Sequence, residues 1–379
     1  MSDTNNTEDA LDEVAAAFGR SRDPLAEFEA EFTDLDPDPF NLFIEQVLEP
    51  QGRAPSTIQQ YRRVYEEWRE HMVAAGRHPA CPNEGHIKSY IEWQLTDESD
   101  PRPQGRPNSP ETVKDKIWKL KATYEFWQTK AAFPHPQDYN PFQAALETVN
   151  LDGPAEEKEE WPIPVGELRD HLAEITHWKR LAIIITQLKL GARAGEVSNM
   201  RLEDFSIRKS EAKRQLVDLG TNPRLDGREN AIYIPPRFER EGNKSVRPRV
   251  LPLDDELQRV LLRYLLIRPD NGEPWLFLSE KSHSKFTPKR INQIWKDEFH
   301  PEYGETDRYK AVTSHYGRHR FTTYWHVEQD VNRELVKYMR GDKAGGSQLE
   351  NKETMDTYLH TYYEDIEDLY RERIFPLGL

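Results

Sequence analysis

The sequence predicts a mainly α-helical protein with one small β-sheet, divided into a helical N-terminal domain and a mixed α/β C-terminal domain. Three observations lead there. Apolar residues recur at helical spacing in long segments from residue 40 onward, as with Ile58, Tyr61, Val64, Tyr65 and Trp68 in STIQQYRRVYEEWREHMVAAG. Only two short strand patterns stand out, AIYIPP and RPRVLPL, joined by the polar turn REGNKS. The stretch LDGPAEEKEEWPIP, residues 151–164, encloses an acidic run between Gly and Pro and reads as a linker, and 379 residues suit two domains better than one.

Residues 1–38 hold 12 acidic side chains against Arg20 and Arg22, so they carry most of the net charge of −15. They read as an acidic flexible tail, and the rest of the chain is only mildly acidic. A basic groove can coexist with such a total, because salt screens distant charges within about 10 Å. No run of about 18 apolar residues and no basic-then-apolar leader is present, so the sequence predicts a cytoplasmic protein with no membrane partner. The single cysteine, Cys81, cannot form an internal disulfide and reads as a structural bystander.

In the helical domain, residues 39–150, Ser56 is the expected N-cap and Gly76 the terminator of the first long helix. A second helix is expected at HIKSYIEWQLT and a third at ETVKDKIWKLKATYEFWQTKAAF, after the Pro-rich loop ESDPRPQGRPNSP. The third helix buries Val113, Ile117, Leu120, Tyr124 and Trp127. Its other faces carry Lys114, Lys116, Lys119 and Lys121, which read either as a solvated face or as phosphate contacts.

In the second domain, residues 165–379, WKRLAIIITQLKLG is apolar on all sides at its centre and must be buried. After the strands, helical patterns return at DDELQRVLLRYLLIR, PKRINQIWKDEF, SHYGRHRFTTYWHVEQ, RELVKYMRG and KETMDTYLHTYYEDIEDLYRERI. There is no internal repeat.

TSHYGRHRFTTYW concentrates His315, Arg318, His319 and Arg320 within six residues. It admits three readings. One is an ordinary charged helix face. Another is a metal site, since His315 and His319 are four apart, although an HExxH arrangement and an obvious third ligand are missing. The third takes His315 and Arg318 as two groups aimed at one phosphate, for which the planar guanidinium fork is suited. A second arginine, Arg193, stands at the helix break KLGARAGE with Glu196 one turn on, and Lys244 stands in the turn between the two strands.

In order and spacing, Arg193 in GARAGE, Lys244 ahead of VLPL, His315 and Arg318 in HYGRH, and Tyr358 in TMDTYLH resemble the active site of the tyrosine recombinases, the phage-integrase family. The resemblance covers residues 165–365 well and 40–150 loosely. It implies a helical core-binding domain and a catalytic domain that clamp double-stranded DNA at specific target sites. The lysine face and Arg62 and Arg63 would then contact the DNA backbone. It implies Arg193 and Arg318 on the non-bridging phosphate oxygens, Tyr358 as nucleophile and Lys244 as general acid. His315 becomes a hydrogen-bond donor or proton acceptor, and Glu196 a positioning group. It further implies strand breakage and rejoining with no metal or other cofactor, assembly to a tetramer on DNA, and association with the nucleoid. A type IB topoisomerase and a DNA-binding accessory factor without catalysis are the alternatives.

Tyr362 and Tyr363 lie close to Tyr358, and it is Thr354, Thr357 and the Tyr-x-His spacing to His360 that match the family pattern. One position departs from it. Where the family usually has a histidine or tryptophan, this chain has Asp342 in RGDKAGG, so either Lys343 substitutes, or the position matters less here, or the arrangement is looser than in the family. The helix after Tyr358 is amphipathic through Ile366, Leu369 and Tyr370, and is expected to pack either on its own domain or on a neighbouring protomer.

Overall fold

The computed structural model describes residues 13–96, 107–151, 158–207, 216, 218–343 and 352–379, with 352–361 described by backbone alone. The chain divides into two compact units, Met1–Glu157 and Lys158–Leu379, and the division falls inside the stretch read as a linker.

The first unit is helical. Its main elements are α1 (Pro55–Ala74), α2 (Glu84–Leu95), α3 (Pro110–Thr129) and α4 (Pro141–Thr148). α1 begins one residue before the expected cap Ser56, because Pro55 takes the first helical position, where its missing N–H is no loss. α2 opens with a reciprocal cap: Asn83 accepts from the His86 N–H and His86 Nδ1 accepts from the Asn83 N–H. Val113, Ile117, Leu120, Tyr124 and Trp127 are all buried, as the helical stripe requires. Two large indole rings carry a polar atom into this core, and in both that atom is paired: Trp68 Nε1 donates to the Pro79 carbonyl and Trp127 Nε1 to the Pro39 carbonyl.

The expectation of a flexible tail over residues 1–38 is corrected for its second half. A short helix at Glu29–Thr33 buries Phe32, Leu25 is fully enclosed, and Arg77 pairs with Asp23 at 2.7 Å and Glu29 at 3.4 Å. The acidity that suggests a solvated tail is partly the counter-charge of Arg77, a partner 54 residues away from Asp23. Residues 1–12 lie outside the described residues.

The second unit holds α5 (Val165–Ala173), α6 (Trp178–Leu190), α7 (Ala194–Asn199), α8 (Asp255–Ile267), α9 (Pro288–Tyr303), α10 (Ser314–Thr323), α11 (Arg333–Arg340) and α12 (Lys352–Arg373). Its sheet is a three-stranded antiparallel meander, β1 (Phe205–Ser206), β2 (Ala231–Ile234) and β3 (Arg249–Pro252), with Ile232 opposite Phe205 on one side and Leu251 on the other. β1 has only two residues, too few to show an alternating pattern in the sequence. α6 is enclosed from Leu181 to Leu190 and packs against α8 and α10, which makes it the axis of the core.

α12 packs on its own unit. Ile366 and Tyr370 are fully buried and the Tyr370 hydroxyl donates to the Lys189 carbonyl at 2.6 Å. The chain beyond α12 continues inward along the same surface: Phe375 and Leu377 are buried, and the Leu377 and Leu379 N–H groups donate to Glu256. Beneath them Lys189, with no exposed side-chain surface, reaches Asp254 at 2.7 Å, Glu256 at 2.8 Å and the Phe375 carbonyl at 2.6 Å. A single buried ammonium thus ties α6, the start of α8 and the C-terminal segment together.

Candidate active site

The candidate site forms where α6 ends, α10 begins and α11 ends. α6 stops at Gly191, whose φ of 59° is left-handed and where a Cβ would come within 2.6 Å of the Phe321 ring. That turn sets Arg193 at the N-terminus of α7. There its backbone N–H donates to Glu196 Oε2 at 2.8 Å and its guanidinium extends outward, part-exposed. Arg318, one turn into α10, is 2% exposed and donates to the Gly191 carbonyl at 2.8 Å and the Arg340 carbonyl at 3.0 Å. α11 ends at Gly341, φ 68°, where a Cβ would collide with Arg249 Nη1 and Ser245 Oγ. The chain turns there and presents Asp342.

Two of the predicted residues meet on that carboxylate. Arg193 Nη2 donates to Asp342 Oδ1 at 2.9 Å and Arg318 Nη2 donates to the same oxygen at 2.7 Å. Arg340 Nε stands 3.0 Å from Oδ2. The geometry places a single oxyanion between two guanidinium groups. Burial, reinforced by the positive charge of Arg193 and Arg249 and opposed by Asp342, lowers the Arg318 pKa to about 9, which still leaves it charged at neutral pH.

Beneath this layer lies a second one, of which the sequence offered Glu196 but not Ser245 or Arg249. Glu196, fully buried, accepts from Arg249 Nη2 at 2.8 Å and from the Ser245 hydroxyl, and Ser245 Oγ accepts from Arg249 Nη1 at 2.9 Å and Arg193 Nη1 at 3.3 Å. Burial opposes the charge on Glu196, but Arg249 and these hydrogen bonds prevail and hold its pKa down at about 2. Glu196 therefore supports Arg193 from below. Arg249 is itself fully buried at the head of β3. Its sequence trace is one charge in a short apolar strand, an ordinary feature of a strand with one solvated face.

A depressed carboxyl pKa stabilises the fold above the unfolded-state value, and the stabilisation is lost as pH falls through the folded value. For Glu196 the window runs from the ordinary 4.5 down to about 2, and the shift corresponds to about 3 kcal/mol. Glu196→Gln is expected to lower stability near neutral pH and to flatten the acid limb of a stability-against-pH curve between those values. An unchanged limb in chemical denaturation would remove Glu196 from this account.

His315 is on α10 beside Arg318, at the rim of a hollow of about 140 Å³ shared with His319, His326 and Arg340. Lost water around its ring lowers its pKa below 6.5, with Arg318, His319 and Arg193 adding to the shift and Glu160 opposing it. The ring is neutral near pH 7 and can accept a proton. Among the described residues no group of three or more His, Cys, Asp or Glu side chains, His315 and His319 included, is arranged to hold an ion.

Lys244 is exposed in the connection from β2 to β3, next to Ser245 of the buried layer, and Lys343 is exposed beside Asp342. Tyr358 lies on α12, and its side chain is outside the described residues, as are those of Thr354, Thr357 and His360. The neighbouring tyrosines have packing places. Tyr362 stacks on Tyr338 with centroids 5.1 Å apart, and Tyr363 is buried under the Arg228 guanidinium with its pKa raised by that burial.

In the first unit Arg62 and Arg63 are exposed on α1. On α3, Lys114 is half-buried, while Lys116, Lys119 and Lys121 are largely buried and engaged. Lys116 pairs with Glu67 and donates to Gln94, Lys119 pairs with Asp115, and Lys121 donates to Gln143. Their stems lie along the helix packing and their charges are matched within the unit. No helix among the described residues is long and apolar enough to cross a membrane.

The sequence matches no protein-family model and no curated protein. Solved structures do resemble it. The integrase of transposon Tn1549, in complex with a circular intermediate DNA, superposes with a TM-score of 0.55 at 16% identity, over 86% of this chain and 94% of that one. The lambda integrase dimer bound to a COC′ core site gives a TM-score of 0.55 at 12% identity, again over 86% of this chain and 94% of that one. This chain, with α6, α10 and the three-stranded sheet arranged as described, therefore shares the fold of these two integrases.

Proposed function

We propose that the protein is a site-specific DNA recombinase that cuts and rejoins strands by transesterification. The observation that carries the reading is the convergence of Arg193 and Arg318, 125 residues apart in sequence, on a single oxyanion position. A phosphodiester gains negative charge as it becomes pentacovalent, and fixed guanidinium donors at that point stabilise the transition state more than the ground state. DNA in the two resembling integrase structures supports double-stranded DNA as the partner.

In this reading the Tyr358 oxygen attacks phosphorus, the bond from phosphorus to the 5′-oxygen breaks, and a 3′-phosphotyrosine forms. Tyrosine has an ordinary pKa of about 10, so its proton must leave as the bond forms. The neutral His315 ring is suited to receive it, and Lys244 delivers a proton to the departing 5′-oxygen. Glu196 acts through Arg193 as a positioning residue. Reversal by a 5′-hydroxyl from another strand restores a phosphodiester, with the bond energy kept in the phosphotyrosine link. The helical unit is the core-binding domain. Of its candidate DNA contacts, Arg62 and Arg63 fit best because they are exposed, whereas Lys116, Lys119 and Lys121 have partners within their own unit. Four protomers would assemble on two duplexes, in the nucleoid.

Trapping tests this directly. Wild-type protein incubated with nicked duplexes from its own genetic neighbourhood, then denatured, is expected to yield a covalent protein–DNA adduct that Tyr358→Phe does not form. If no adduct appears on DNA that the protein binds, the reading fails and a non-catalytic DNA-binding factor replaces it. An adduct that persists in Tyr358→Phe assigns the nucleophile elsewhere.

A further inference from the structure

The two arginines of the candidate site hold an anion that belongs to the chain itself. Asp342 Oδ1 lies 2.9 Å from Arg193 Nη2 and 2.7 Å from Arg318 Nη2. Those are the lengths of charge-assisted hydrogen bonds. A phosphate oxygen shared by the same two groups would have to occupy the same point. Carboxylate and phosphodiester are both anions, so proximity would add repulsion to the steric conflict.

We propose that Asp342 is a resident surrogate anion that closes the arginine pair in the absence of DNA, and that the scissile phosphate must displace it. The inference rests on the recombinase reading for the identity of the incoming phosphate. The resident anion itself comes from the geometry alone.

Three features fit displacement better than a permanent bridge. The Asp342 side chain keeps a quarter of its surface exposed, so it has room to swing outward. It comes directly after Gly341, whose left-handed backbone ends α11, so its carboxylate can swing by side-chain rotation while the turn stays held by the Asp342 N–H on the Lys337 carbonyl. Its second oxygen pairs with Arg340, itself about as exposed, and that contact can move with the carboxylate.

The charge balance points the same way. Among the described residues, the acidic partners of Arg193, Arg249, Arg318 and Arg340 are Glu196 and Asp342, and Glu196 is committed below to Arg249 and Ser245. When Asp342 leaves, the upper three guanidiniums need an anion, and a phosphodiester supplies one. An imidazole or indole in this place would leave the arginine pair open at all times. The carboxylate makes closure the default and makes access depend on a well-placed phosphate, which discriminates against loosely bound, non-cognate DNA.

The probe is inorganic phosphate, titrated into full-length protein by calorimetry, with orthovanadate as a second oxyanion. Asp342→Asn is expected to bind phosphate at least about tenfold more tightly than wild type, the scale of one charge-assisted hydrogen-bond pair released from competition. The gain should vanish in Asp342→Asn/Arg193→Gln. Asp342→Glu, which keeps the charge, should bind as weakly as wild type. Asp342→Ser provides the same reading if the asparagine variant does not fold, with circular dichroism establishing which variants are intact.

Equal phosphate affinity in wild type and the neutral variants would overturn the proposal. Weaker binding by folded neutral variants would also overturn it, and would make Asp342 a residue that aligns the arginines instead of competing for them. The two readings fail separately. A phosphate gain without any covalent DNA adduct from wild type sinks the recombinase reading and leaves the resident anion. An adduct from wild type without a phosphate gain does the reverse.

Discussion

Arg193→Gln is expected to lower the rate of covalent adduct formation by roughly 10²–10³-fold while duplex binding changes only a few-fold. The magnitude is that of removing one preorganised donor from an oxyanion site. The asymmetry between rate and binding comes from the position of the guanidinium. Affinity for duplex DNA is spread over many backbone contacts, whereas the arginine pair meets one phosphate whose charge grows only during reaction. Arg193 is the better arginine to change, because it is part-exposed and, among the described residues, its guanidinium meets Ser245, Asp342 and Glu196. Arg318 also holds the Gly191 and Arg340 carbonyls, so its loss would disturb the ends of α6 and α11 as well. Single-turnover cleavage on a suicide duplex, with binding measured in parallel, separates the outcomes. Equal losses in both would mean that Arg193 serves binding and not the transition state.

The largest effect on stability is expected at Lys189. Lys189→Met keeps the volume and removes the charge, leaving Asp254 and Glu256 without the ammonium that both approach within 2.8 Å. Breaking a buried pair from one side costs about 3–5 kcal/mol, which for a unit of this size is roughly 10 °C in Tm. The loss should be local at first. The C-terminal segment depends on Glu256 for its Leu377 and Leu379 N–H groups and on Lys189 for the Phe375 carbonyl, so it should become sensitive to proteolysis before the unit melts. The double variant Lys189→Met/Glu256→Gln should recover part of the stability. A single variant as stable and as protease-resistant as wild type would show that the buried charges do not anchor the C-terminal segment.

Much of the architecture was legible because it rests on local periodicity. The stripe on α3 and the apolar centre of α6 are spaced by helical geometry, and the structure buries them as that geometry requires. The two strands around the Lys244 turn are read from apolar runs and turn residues in the same way. The short strand β1 was not legible, since two residues carry no period. Neither was the anchoring of residues 23–38, because an acidic composition reads alike whether the charges are solvated or matched to Arg77.

The candidate site divides along a similar line. The resemblance to the tyrosine recombinases singles out Arg193, Glu196, Lys244, His315, Arg318 and Tyr358 by their order and spacing, which are legible in the sequence. Ser245, Arg249 and Arg340 entered only with the tertiary structure. What makes them part of the site is a set of contacts such as the one between Arg249 and Glu196, 53 residues apart, which no local pattern encodes. Asp342 shows the limit most clearly. In the sequence it is a departure from a familiar position; in the structure its oxygen lies between two guanidiniums. The sequence by itself determined the fold class, the order of the helices and which side chains could do chemistry, because periodicity and residue type are properties of the chain. Which of those charges face one another, and which are already neutralised by a partner, only the tertiary structure decided, because electrostatic pairing depends on distances that folding alone sets.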